Sequence, residues 1–177
     1  MERCRKPFGV GRFNSGINQL NSLLVDTSFL ITLADPTRTN HQTALAYFKE
    51  ALLREVPIYL SSIVASEFHT KQPVSDLGLR NFVILPFNID HALKCGDLMK
   101  HLNRDGGDDR AAVKDDVKLI AQCACDEISH LVTDDERTLA KYLNRFNSLK
   151  LVSTKVILLI TGYDDSWFHH GQKQLLP

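Results

Sequence analysis

The sequence predicts an α/β protein, a three-layer α/β/α sandwich with a mostly parallel central sheet. Short apolar runs of strand length alternate with stretches whose apolar residues recur at helical spacing. That strand–helix order repeats along the chain, as in sheets whose parallel strands are joined by helical crossovers. Acidic residues stand directly behind two of the apolar runs, at the carboxyl edge where such sheets bind ligands.

The elements follow in order. "SLLVD" reads as a buried strand presenting Asp26 at its carboxyl end, with a short helix after it capped by Asp26 or Thr27. "HQTALAYFKEALLREV" places Ala44, Leu45, Phe48, Leu52 and Val56 on one helical face. "PIYLSS" is a second strand, and "SSIVASEFHTK" a helix opened by Ser61 or Ser62 with Glu67 in its second turn. "NFVILPF" is a third strand stopped by Pro86, which lacks the ladder N–H. "IDHALKCGDLMKHL" is a helix capped by Asp90, and "NRDGGDDRAAVK" a polar glycine-containing loop. "DDVKLIAQCACDE" is a helix opened by its two acids, and "ISHLVT" a fourth strand ending at Asp134 and Asp135. "ERTLAKYLNRF" is a short helix and "LKLVST" the fifth strand.

Composition bounds the function. The 177 residues suit one domain able to bury its own core, and the 44% hydrophobic share is that of an ordinary globular protein. Lys plus Arg and Asp plus Glu number 21 each, so global charge does not point to a polyanionic partner, though a local basic patch is still open. Residues 1–21 carry Arg3, Arg5, Lys6 and Arg12 among glycines and asparagines and read as a flexible basic arm. The folded unit is expected over 22–152, with 153–177 an extension. Cys4, Cys95, Cys123 and Cys125 form no C-x-x-C pair, so zinc and a disulfide scaffold are not expected. The polar amino terminus has no secretory h-region, and "VILLI" is too short to span a bilayer. These features predict reduced thiols in a cytoplasmic protein with no membrane partner.

The acids carry the functional expectation. Asp26 and the Asp134–Asp135 pair follow strands, Asp116 opens the helix before the fourth strand, and Glu67 lies in the helix after the second. Returning helices can bring Asp116 and Glu67 over the same edge. Carboxylates gathered without Lys or Arg repel one another, and a hard divalent cation with oxygen ligands, Mg²⁺ or Mn²⁺, resolves the repulsion. Each acid also has a plain structural reading. Asp26 and Asp116 suit helix caps, Asp134 and Asp135 suit a turn, and Glu67 suits an exposed helix face. The conjunction at one edge is more specific than any member.

Four stretches, "LLVDTSFL", "SSIVASEF", "KDDVKLIAQCA" and "HLVTDDERTL", resemble in that order the motifs of the PIN domain, the metal-dependent nuclease fold of VapC-type toxin ribonucleases. The likeness spans about residues 22–152. It implies Asp26, Glu67, Asp116 and Asp135 as catalytic metal ligands, with Asp134 directly adjacent as an alternative ligand. Ser28 and Thr133 would support the carboxylates by hydrogen bonds, and Arg104, Arg110 and Lys114 are candidates for holding RNA phosphates. The resemblance further implies single-stranded RNA as substrate, an antitoxin protein and a second copy of the chain as partners, and Mg²⁺ or Mn²⁺ as cofactor. The amino-terminal arm, the tail and the "NRDGGDDRAAVK" loop exceed the compact family core. A haloacid-dehalogenase-like phosphatase would need a second acid in "DTSFL", and a receiver domain an Asp after the third strand; neither is present. A non-cutting PIN-like module that binds RNA or protein is the remaining alternative.

Overall fold

The structure, a computed structural model, describes residues 21–168. The basic arm with Arg3, Arg5, Lys6 and Arg12, together with Cys4 and His169–His170, lies outside the described residues.

Among the described residues five strands form one sheet, β1 (Leu23–Val25), β2 (Ile58–Ser61), β3 (Val83–Leu85), β4 (His130–Thr133) and β5 (Lys155–Leu158), in the order β3-β2-β1-β4-β5. Every pairing is parallel, so the sheet expected to be mostly parallel is wholly so. The α-helices that connect them are α1 (Thr27–Ala34), α2 (His41–Leu53), α3 (Ser62–His69), α4 (Ile89–Lys100), α5 (Arg110–Cys125) and α6 (Leu139–Ser148). α1 packs on α2 and α3, whereas α5 packs on α4 and α6. Right-handed crossovers place these two sets on opposite faces, which gives the α/β/α layering. Strands covered on both faces must be apolar throughout, and Leu23, Leu24, Val25, Leu131 and Val132 are all buried.

The chain steps outward from β1 through β2 to β3, then returns to lay β4 on the other side of β1. The sheet direction therefore reverses between β1 and β4, the crevice where open α/β sheets hold ligands. Buried side chains fix the helices over this edge. The Ser61 hydroxyl donates to Gln122 Oε1 at 2.7 Å, and Gln122 Nε2 donates to the Leu85 carbonyl at 3.3 Å, tying α5 to the ends of β2 and β3.

Several expected boundaries move. α5 starts at Arg110 under an Asp109 cap, whose side chain accepts from Ala112 N at 2.9 Å, so Asp115 and Asp116 lie inside the helix rather than opening it. Ala111 and Ala112 are strong helix formers and extend it into the expected loop. α4 is capped by Asn88 in a reciprocal box with His91, which leaves Asp90 in the first turn. The buried face of α2 is Ala44, Tyr47 and Ala51, with Leu52 exposed. The Tyr47 hydroxyl is drawn inward because it accepts from Asp164 N at 3.1 Å.

"LKLVST" is not a strand: Lys150 has φ 57°, and its N–H and that of Leu151 close on Asn147 and Phe146 of α6 at 2.9 and 3.0 Å. This is a Schellman stop, and the fifth strand begins after it, past residue 152. Glu55 and Glu127 make the same left-handed stop for α2 and α5.

Candidate active site

Asp26 caps α1, accepting from Phe29 N at 2.8 Å, because β1 ends one residue before it. Its carboxylate also accepts the Ser28 hydroxyl at 2.8 Å and the Thr133 hydroxyl at 2.6 Å. Thr133 ends β4, the strand paired with β1, so the parallel register brings these two chain segments together. Asp26 is only 5% exposed and faces no cation among the described residues, and burial pushes its pKa up to about 6 against the pull of those three donors.

Glu67 reaches the same place from α3, where it accepts the Thr27 hydroxyl. Asp116 comes from the second turn of α5, and its Oδ2 is buried with no hydrogen-bond partner among the described residues. Its pKa rises to about 7, chiefly through desolvation; the neighbouring Thr138 hydroxyl opposes the rise, and the charges of Asp135, Asp26 and Glu67 add to it. Asp135 sits in the turn after β4 and accepts from Arg137 N at 2.8 Å and the Thr138 hydroxyl at 2.7 Å.

These four acids line one cleft of about 290 Å³ together with Asp115 and Thr138, and among the described residues no Lys, Arg or His lines it. Four separate chain segments thus converge at the β1/β4 crevice. Asp115 is neutralised beside it by Lys118 Nζ at 2.6 Å.

Among the described residues, no three His, Cys, Asp or Glu side chains close tightly enough to coordinate an ion as they stand. Mutual repulsion accounts for carboxylates lining a cleft without meeting at a point. The donor set nevertheless fits a hard divalent cation: it is all oxygen, uncompensated by positive charge, and includes the orphaned Asp116 Oδ2.

Asp134 does not line this cleft. Its side chain accepts from Thr32 at 2.9 Å and from Asn40 at 2.6 Å, with Arg38 at 4.0 Å. Ser28 and Thr133 stand where the sequence suggested, and each also accepts a backbone N–H, from Asp134 and Asp135 respectively, both at 2.8 Å. Arg104, Arg110 and Lys114 are exposed, and none of them lines the cleft. Arg104 donates to the Asp105 and Asp108 carbonyls of its own loop. Sequence reasoning missed Thr27 and Thr138. Each had a faint signal: Thr27 follows Asp26 directly, and Thr138 lies three residues after Asp135 at the spacing of an Asx-type turn.

No family model and no curated protein sequence matches the chain. Solved structures do. FitAcB from Neisseria gonorrhoeae superposes with a TM-score of 0.54 at 18% identity, covering 78% of this chain and 98% of that one. DNA-bound VapBC from Salmonella typhimurium gives 0.54 at 14% identity, over 78% of this chain and 98% of that one. VapBC2 from Rickettsia felis, bound to a DNA fragment from its promoter, gives 0.51 at 14% identity, over 76% and 97%. Identities this low speak to architecture alone. No helix among the described residues is long and apolar enough to cross a membrane. The chain has the PIN-domain fold of VapC structures, the fold its four acidic motifs implied.

Proposed function

We propose that the protein is a divalent-metal-dependent endoribonuclease that hydrolyses phosphodiester bonds of single-stranded RNA. The observation that carries this reading is the cleft itself, in which Asp26, Glu67, Asp116 and Asp135 share one volume with hydroxyl groups and, among the described residues, no cation. These four residues would hold Mg²⁺ or Mn²⁺. When bound, such an ion supplies an acidified water and offsets negative charge on a phosphoryl oxygen.

The chain's own contribution is to orient the ligands. Ser28 and Thr133 fix both oxygens of Asp26, Thr27 fixes Glu67, and Thr138 fixes Asp135. Ligands held this way keep their orientation at the cleft, and accepting a metal would require the carboxylates to draw together. The water oxygen bonds to phosphorus as the bond from phosphorus to the leaving oxygen breaks. The water gives up a proton to solvent or to a carboxylate of the cleft, and the leaving oxygen takes up a proton from solvent or from that carboxyl group to depart as an alcohol.

Labelled single-stranded RNA incubated with Mn²⁺ tests the reading. Wild type should cut and lose activity in EDTA, and Asp26→Ala should leave the RNA intact. Equal cutting by both proteins overturns the site assignment.

A toxin role, with an antitoxin partner, is supported by the fold neighbours that are VapBC assemblies. Expression of the active chain should then arrest growth, with rescue by a neighbouring antitoxin. Harmless overexpression would point to RNA processing instead. Self-association and a cytoplasmic setting belong to the same proposal, the latter supported by the unbridged thiols of Cys95 and Cys123.

A further inference from the structure

Asp134 and Asp135 are consecutive, with Cα atoms about 3.8 Å apart, yet their side chains serve different cavities. Asp135 lines the carboxylate cleft, while Asp134 lines a second cavity of about 320 Å³ with Thr37, Arg38, Thr39 and Asn40. That second cavity holds the cation the first one lacks. Arg38 Nη1 donates to Thr32 Oγ1 at 3.1 Å and stands 4.0 Å from Asp134 Oδ2, so one edge of the guanidinium is fixed while the side chain stays 43% exposed. Asp134 is answered by Thr32 and Asn40 as well as by Arg38, which mutes its repulsion of an incoming anion. Asn40 directs its amide to Asp134 and gives α2 no side-chain cap, so the positive end of α2 adds to the same field.

We propose that this second cavity is a subsite for a phosphodiester neighbouring the one cut, with Arg38 as its cation. The inference rests on the nuclease reading and adds a direction to it: the strand crosses the Asp134–Asp135 peptide, one phosphate in each cavity. Arginine suits the task because its unused N–H edge can take two phosphate oxygens at once. A backbone contact of this kind strengthens binding without selecting a base.

The test is fluorescence anisotropy of a labelled single-stranded oligoribonucleotide with Mg²⁺, across a salt series, in an Asp116→Asn background that blocks cutting. Arg38→Gln should bind severalfold more weakly, and its log-affinity against log-salt slope should be shallower by about 0.7, the value of one single-strand phosphate contact. Arg38→Lys should keep the slope and recover part of the affinity. Arg38→Gln with unchanged affinity and slope overturns the subsite, whatever the cutting assay shows. A salt slope that depends on Arg38 in a protein whose Asp116-containing form never cuts RNA would uphold the subsite while the nuclease reading fails. In the cutting form, Arg38→Gln should raise KM with little change in kcat, and a fall in kcat alone also counts against the proposal.

Discussion

Asp105 and Asp108, in the loop before α5, face cations, whereas in the cleft Asp26 faces hydroxyls and Asp116 Oδ2 has no hydrogen-bond partner among the described residues. Lys141 Nζ meets Asp108 at 2.5 Å and Asp105 at 3.1 Å, and Arg145 meets Asp105 at 2.8 Å. Hydrogen bonds from Lys141 hold both loop carboxyls below the usual range, with help from Arg145 at Asp105 and Tyr142 at Asp108. Burial drives the cleft pair the other way, to about 6 and about 7. One residue type therefore makes a staple in one region and a reactive cleft in the other, and the partner decides which. The staple serves the cleft. It fastens the loop that ends in the Asp109 cap onto α6, and so fixes the amino half of α5, where Asp116 sits, beside the turn that carries Asp135.

The largest expected difference is in metal binding. Asp116→Asn should weaken Mn²⁺ binding by tenfold or more in calorimetry, since it removes a charged ligand whose Oδ2 has no other partner. The same change should raise the melting temperature of the metal-free protein, because a buried uncompensated charge is lost. Asp108→Asn should instead lower the melting temperature and leave Mn²⁺ affinity near wild type, because Asp105 still fastens the loop to Lys141 and Arg145. If the two variants behave alike, the contrast between staple and cleft is wrong.

A pH series sharpens the same contrast with a smaller effect. Asp26 and Asp116 bind protons more tightly folded than unfolded, since their usual value is 3.8. Below about pH 4 both states are protonated and no penalty arises. As pH rises toward 7 the unfolded chain ionises first, so stability falls and stays low above that range. Asp105 and Asp108 contribute oppositely, with stability present at neutral pH and lost in acid. Buried His130, depressed to about 4, also loses stability as pH falls below its usual 6.5. The difference between wild type and Asp116→Asn isolates the cleft from these opposing groups. In metal-free melts the stabilisation by Asp116→Asn should grow between pH 5 and pH 8, and Mn²⁺ should raise the wild-type melting temperature more at pH 8. A difference flat across that range would show that Asp116 does not carry the penalty.

Much of the cleft was legible because strand ends are legible. Asp26 and Asp135 follow apolar runs directly, so their place at the carboxyl edge needed only the strand–helix alternation. Glu67 and Asp116 were harder, since a helix residue reaches that edge only if its helix returns at the right height. For Asp116 the local reading was wrong even though its position was right: it was expected to open α5, and it stands two turns in. Its neighbours Ala111 and Ala112 look like loop beside two glycines, and only the Asp109 cap and the staple on α6 settle them as helix. Between Asp134 and Asp135 only the family likeness favoured Asp135, with Asp134 kept as an alternative, because which of two adjacent carboxylates turns inward depends on Thr32 and Asn40, about a hundred residues away. The fifth strand failed for a different reason. The alternation in "LKLVST" resembles a strand, but a left-handed residue that is not glycine leaves no mark in the sequence.

That hidden residue supplies the smallest expected effect and a control for the larger ones. Lys150 holds φ 57° at the end of α6, where a side chain is strained and glycine is not. Lys150→Gly should therefore stabilise the protein by about 0.5–1 kcal/mol in urea denaturation, the strain relieved outweighing the added freedom of the unfolded chain. It touches no carboxylate of the cleft, so Mn²⁺ affinity should not move. Unchanged affinity with raised stability would separate backbone strain from the charge effects of Asp116→Asn, showing that gains in melting temperature do not by themselves report on the cleft. A loss of stability would mean that the Lys150 side chain supports the end of α6 by a contact worth more than the strain. A shift in Mn²⁺ affinity would mean that the far end of α6 moves the turn holding Asp135 and Thr138, and the cleft could then no longer be treated as set by its own residues and the loop staple alone.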